Sequence, residues 1–299
     1  MARASSSDSF RVEDEKTSRA TVLLYVQSCR GIGHLQRVGA IATGLLKMYR
    51  VVLVSGAPPV EGFAKRFRRV SGECLDFRMV QLPPVTALVG AESWKLVDHA
   101  TGRPLCSDLK AKRCAMLLSV LREERPRAVV VEMFPFGRRR FHFELEPLLD
   151  ACHELSHETG QLQRPAILCS VRDVLVKRSS SEYNWANRKI RSYFDAVLVH
   201  GDEKLIPFDR TFPLADQIRD KLIYTGYVVE PYSKQKAERG FDVLISAGAG
   251  GSGNVERFYK AAVRYVNLPF RKVNIWRRRF LARLSRRAPC PISLTANVI

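Results

Sequence analysis

A doubly wound α/β sheet of parallel strands is the fold this sequence predicts, and two observations predict it. Short β-branched runs alternate with amphipathic stretches of helix length, the rhythm of strand-crossover-strand units. Several runs are apolar at every position instead of every second one, as strands covered by helices on both faces require. In chain order the runs are VLLYVQ (22–27), VVLVSG (51–56), FRMVQL (77–82), AVVVEM (128–133), AILCSV (166–171), AVLVHG (196–201), KLIYTG (221–226) and DVLISAG (242–248). Helical spacing falls at 34–48, 106–124, 139–157, 181–193 and 252–265, and residues 83–104 are the longest irregular stretch after the Ser-rich leader.

The ends carry different signals. Residues 1–19 are Ser-rich, charged and aperiodic, and read as a disordered leader. A first domain is expected over 20–226, a polar linker with Pro231 and Gly240 over 227–240, and the start of a second, incomplete sheet domain over 241–267. Residues 268–299 hold eight Arg and Lys and no Asp or Glu. If helical, the segment NIWRRRFLARLSRR groups Trp276, Phe280 and Leu284 among arginines, the pattern of a membrane-surface helix; the alternative is an unstructured C-terminus.

Composition narrows the function classes. With 46% hydrophobic, 9% aromatic and 26% charged residues, the chain is neither disordered, collagenous nor disulfide-stapled. No run approaches the roughly 18 apolar residues of a membrane span, and the start resembles no signal peptide, so the cytoplasm is the expected compartment. Peripheral contact with the inner membrane face is expected through the tail. Seven cysteines, odd in number and without CxxC, favour free thiols over a disulfide framework or a cysteine zinc site. The net charge of +19 implies anionic partners, yet no nucleic-acid motif accompanies it, so no nucleic acid is expected.

Four strand ends deliver polar residues to one rim. The first runs through Arg30-Gly31-Ile32-Gly33-His34 into a helix bearing Arg37. Glycines in a first strand-helix turn let backbone approach a ligand, and the helix N-terminus beyond attracts an anion. This is neither GxGxxG nor a P-loop, and a tight structural turn is the bland alternative. His34 stands where a general base could act near neutral pH. The second end is Glu132 with the turn MFPFG and Arg138, Arg139 and Arg140 at the next helix start; the third is Arg172 and Asp173; the fourth is His200 and Asp202. A competing motif, His153-Glu154-Leu155-Ser156-His157, matches the HExxH of zinc peptidases. It falls at the far end of a crossover helix, away from that rim, with Gln163 where a third histidine is wanted, so surface histidines are the preferred reading and no metal is expected.

Taken together, VQSCRGIGHLQRVGAIATGLL, VVLVSG, EMFPFGRRRFHFELEPLLDA, SVRDVLV, VLVHGD, YTGYV and DVLISAGAGGSG resemble bacterial predicted glycosyltransferases. These are related to the peptidoglycan N-acetylglucosaminyltransferase and to UDP-sugar transferases of the GT-B fold. The resemblance covers about residues 21–255 and implies two Rossmann-like domains, the first for the acceptor and the second for the nucleotide sugar. It implies sugar transfer to an acceptor hydroxyl, with His34 as base and Gly31, Gly33, Arg37, Glu132, Arg138, Arg172, Asp173 and His200 on the acceptor side. Gly248, Gly250, Gly251 and Ser252 match the loop holding the donor diphosphate. No cofactor is implied beyond the nucleotide sugar as co-substrate; the partners are that donor and a sugar or lipid-linked acceptor. Relatives continue through a complete donor domain where this chain reads RRRFLARLSRRAPCPISLTANVI, so truncation, with or without loss of activity, is expected. A non-catalytic anion or lipid-phosphate binding module is the alternative.

Overall fold

The computed structural model describes residues 19–29, 31–67, 76–89, 94–158, 164–229, 243–246, 257, 261, 273–277 and 280–284. Its centre is a seven-stranded sheet built from β1 (Thr21–Val26), β2 (Arg50–Ser55), β3 (Phe77–Gln81), β6 (Ala128–Glu132), β7 (Ala166–Arg172), β8 (Ala196–His200) and β9 (Leu222–Tyr224). The order is β3-β2-β1-β6-β7-β8-β9, and all pairings are parallel. Helix α1 (Gly33–Leu45) links β1 to β2, α2 (Ser107–Glu124) precedes β6, α3 (His142–Glu158) links β6 to β7, and α4 (Ser180–Tyr193) links β7 to β8.

The continuous apolar runs have the expected cause. On β1, Leu23 and Tyr25 join one core while Val22, Leu24 and Val26 join the other, and Val52 and Val54 of β2 oppose Val51 and Leu53 in the same way. Successive side chains of a strand point to opposite faces, so a sheet buried on both sides has no polar alternate to show. One layer holds α2 and α3 with Leu117, Leu121, Leu145 and Leu148; the other holds α1 with Leu35, Val38 and Ala42. Helix α4 starts with a capping box, Ser179 bonding the Glu182 N–H while the Glu182 carboxylate accepts from the Ser179 N–H.

Two readings of the sequence are corrected here. The stretch 83–104 is not irregular: β4 (Val85–Val89) and β5 (Trp94–Asp98) pair as an antiparallel hairpin. The segment read as a surface helix or unstructured end instead contributes β11 (Val273–Arg277) and β12 (Phe280–Leu284), antiparallel to each other. Strand β11 runs parallel to β10 (Val243–Ser246), so the second strand-bearing segment extends past Asn267. Residues 257 and 261 are helical and exposed, inside the expected helix 252–265, and the rest of that helix lies outside the described residues, as do residues 1–18 of the leader and the linker from 230 to 240.

Candidate active site

Ligands of open α/β sheets bind beyond the carboxyl ends of the strands, where the strand order reverses. Here β1 is flanked by β2 on one side and β6 on the other, so the reversal lies between β1 and β6. The loop leaving β1 passes Gly31, whose φ of 62° is left-handed and strain-free only for glycine. Among the described residues no side chain caps the N-terminus of α1, which leaves its first N–H groups open to a ligand. A Cβ on Gly33 would meet nothing within 4 Å, and an open pocket of about 490 Å³ is lined by Gly33, Gln36, Arg37, Ala40 and Val228.

From α1, His34 and Arg37 both reach Glu132, the last residue of β6. His34 Nδ1 lies 2.9 Å from Glu132 Oε1 and 3.1 Å from Oε2, and Arg37 bonds the same Oε1. The Glu132 side chain is 1% exposed and that of His34 22%. Burial pushes the carboxyl up, but the hydrogen bond and charge of His34, with Arg37 and Arg138, outweigh it and hold Glu132 below the ordinary carboxylate range. An ionised carboxylate only accepts, so Nδ1 carries a proton and the lone pair of the neutral ring sits on Nε2. Among the described residues no hydrogen bond engages that nitrogen.

The turn after β6 bends sharply, with Met133 at φ 68° and Arg138 at φ 60°. A non-glycine residue in this left-handed region costs roughly 1–2 kcal/mol. The bend brings Arg138 back over β1, where its Nε donates to the Gln27 carbonyl at 2.5 Å. The arginines therefore occupy the turn and a single 3-10 turn, Arg139–Phe141, and α3 starts only at His142. Arg139 stacks over Trp185 at 5.0 Å.

The remaining rim residues divide. Arg172 ends β7 beside His200 in register, with its Nε buried and without a hydrogen bond among the described residues. Asp173 accepts from its neighbour's N–H at Val174, and its backbone carbonyl accepts from Thr211 Oγ1. His200 is 6% exposed, and both ring nitrogens are engaged, Nε2 by Ser170 Oγ at 2.8 Å and Nδ1 by Thr225 Oγ1 at 2.7 Å. Burial first, then the Arg37 charge against that of Glu132, lowers it to about 4. It is a neutral tie between β7, β8 and the segment leaving β9. Gly248, Gly250, Gly251 and Ser252 lie outside the described residues.

His153 and Glu154 sit near the end of α3, which runs from the Glu132 edge back toward the start of β7; the His153 ring faces Tyr193 at 6.0 Å. Among the described residues, no group of three or more His, Cys, Asp or Glu is placed to hold a metal ion. No described helix is long and apolar enough to cross a membrane.

Sequence reasoning missed a second polar cluster, on the opposite face of β1. Arg113 and Glu144 are both fully buried and paired twice, Nε to Oε2 at 2.8 Å and a terminal nitrogen to Oε1 at 2.6 Å. Tyr25 donates its phenol to Glu144 at 2.5 Å, and Arg113 also donates to Gln27 Oε1 at 2.9 Å and the Pro83 carbonyl at 2.5 Å. A signal existed: Arg113 falls on the same α2 face as Leu117, Val120, Leu121 and Glu124, all buried.

Known proteins match this chain in three dimensions only. No protein-family model matches it, and no curated protein does. A UDP-glucosyltransferase from Polygonum tinctorium, solved with 3,4-dichloroaniline and described as capable of glucosylating indoxyl, matches with a TM-score of 0.50 and 15% identity, over 85% of this chain and 64% of its own. MurG of Acinetobacter baumannii matches with a TM-score of 0.43 and 14% identity, over 85% and 57%. A UDP-N-acetylglucosamine 2-epimerase from Rickettsia bellii matches with a TM-score of 0.45 and 10% identity, over 83% and 59%. This chain thus spans less than two-thirds of each of these proteins. The likeness to the plant enzyme is one of fold: the α/β, Rossmann-like architecture of the GT-B glycosyltransferase type.

Proposed function

We propose that the β1/β6 edge is the acceptor side of a sugar transferase and that His34 is its general base. The observation that supports this is the His34–Glu132 contact: a buried carboxylate holds Nδ1–H and, among the described residues, leaves Nε2 unengaged at the strand-order reversal of a GT-B type sheet. In the proposed reaction the acceptor hydroxyl gives its proton to Nε2 while its oxygen bonds the anomeric carbon of a nucleotide sugar. The bond from that carbon to the diphosphate breaks, and the nucleoside diphosphate leaves with the electron pair. Glu132 stabilises the imidazolium that forms, as an oriented carboxylate does for a histidine base. Arg37, Arg138 and the open N-terminus of α1 suit an acceptor carrying phosphate, and the net charge of +19 fits a lipid-linked one at an anionic membrane face. The donor diphosphate falls to Gly248, Gly250, Gly251 and Ser252.

The test is release of nucleoside diphosphate from a panel of UDP-sugars with sugar and lipid-linked acceptors, comparing the natural protein with His34→Ala. Loss of about 100-fold or more in turnover with unchanged thermal unfolding is expected; equal turnover removes His34 from the role. The arginines around one helix entrance favour a second reading, a binding module for anionic phosphate without catalysis. Calorimetry separates the two: UDP-sugar binding supports the transferase, whereas salt-sensitive binding of anionic vesicles alone supports the module.

A further inference from the structure

The loop between β1 and α1 carries His34 into place, and the residue at its root is tied to three other parts of the fold. Gln27 is the first residue after β1 and is fully buried. Its Nε2 donates to the Val85 carbonyl at 3.0 Å, at the root of the β4–β5 hairpin. Its Oε1 accepts from Arg113, itself clamped on Glu144. Its backbone carbonyl accepts Arg138 Nε at 2.5 Å, from the turn that follows Glu132. Backbone bonds run alongside: Val85 N–H donates to the Gly56 carbonyl at 3.1 Å, and Ala87 N–H to the Cys29 carbonyl at 3.4 Å.

Gly56 leaves the space for this junction. A Cβ there would stand 2.1 Å from Gln27 Oε1 and 2.5 Å from an Arg113 terminal nitrogen, both held by buried partners and unable to yield. A buried amide whose donor and acceptor are both used has one allowed orientation, so the end of β1 is fixed relative to the hairpin, α2 and the Arg138 turn together.

We infer that Gln27 is a positioning residue for the His34–Glu132 pair, acting through the β1–α1 loop and through Arg138, with the Arg113–Glu144 pair as its anchor. Among the described residues no hydrogen bond joins it to His34 or Glu132. What it fixes is where the loop starts and where the Arg138 charge sits beside Glu132. This rests on the His34 reading for its catalytic meaning, but its test needs neither donor nor acceptor.

Gln27→Met in the full chain preserves length and leaves the Arg113–Glu144 pair intact while removing both amide bonds. Two results are expected by NMR. The Val85 and Ala87 amides exchange at least about tenfold faster. The His34 ring-nitrogen resonances shift, because the loop that carries the ring starts from a less fixed position and the Nδ1–Glu132 contact changes with it. A merely structural role lowers the unfolding temperature without moving those resonances, and unmoved ring resonances in folded Gln27→Met overturn the inference. Should that variant fail to fold, Gln27→Glu keeps the acceptor for Arg113 and loses the donor to Val85; unmoved His34 ring resonances there overturn it equally. Moved resonances alongside unaffected turnover in His34→Ala sustain the positioning role and sink only the transferase reading.

Discussion

Two carboxylate clusters flank the end of β1, and they differ in one physical respect. Glu144 accepts from Arg113 and Tyr25 in a pocket where Arg113, Glu144 and Tyr25 are all closed to solvent, and every polar group there has a partner inside the protein. Glu132 is equally buried, but one of its two hydrogen-bond partners, His34, reaches the surface, and among the described residues one of its ring nitrogens is unengaged. The same residue chemistry thus yields a strut in one place and a candidate reactive group in the other. Burial of the partner decides between them, since a saturated pair can only be broken whereas a half-open one can exchange a proton.

The largest effect is expected on the closed side. Arg113→Met leaves Glu144 buried and uncompensated and should cost about 3–5 kcal/mol in urea unfolding, whereas Arg113→Met with Glu144→Met should recover most of that loss. If the single change costs no more than the double, the pair is not the strut described. Next comes acid. His200 is lowered from 6.5 to about 4 in the folded chain, so between those values the unfolded chain binds a proton the folded one refuses. Stability is full above pH 6.5, falls as pH drops toward 4 and loses no more from this group below that, up to roughly 3 kcal/mol. His200→Gln should flatten that slope in thermal melts at pH 7, 6, 5 and 4; Glu132, lowered below its usual range, acts only further down. The smallest effect serves as a control for exposed polar contacts: Ser179→Ala removes one half of the α4 capping box and should cost about 1 kcal/mol. A loss there comparable to Arg113→Met would mean that burial is not what separates the clusters.

The sheet was largely legible because its signal is local. Every strand of the seven coincides with one of the apolar runs, shifted by a residue or two at the ends, and α1 to α4 fall on the helical spacings. The hairpin was hidden because Val85–Val89 and Trp94–Asp98 are short and half covered, with Leu88 55% exposed, so no clean period marks them. The tail misled for a different reason. Trp276, Phe280 and Leu284 fit a helical face, but β11 is paired with β10 across the chain, Val243 opposite Val273, and local periodicity carries no information about such a partner.

At the site, the sequence placed His34, Arg37, Glu132 and Arg138 at strand and helix ends on one rim. It could not show that the first three touch, nor that His200 is enclosed by Ser170 and Thr225 while Arg113 is enclosed under the same edge.

By itself, then, the sequence determined which segments are strands buried on both faces, which helices cover them and which edge of the sheet collects polar residues, because burial pattern and crossover geometry act over short stretches of chain. Only the tertiary structure decided which of those polar residues meet. Glu132 joins His34 and Arg37 because β6 pairs beside β1 although four strands lie between them in sequence. Gln27 joins Arg113 and Val85 because α2 and the hairpin close over the same strand end. Strand order and side-chain closure are settled by packing the whole sheet at once, and that packing is what makes one carboxylate a strut and the other the partner of an accessible imidazole.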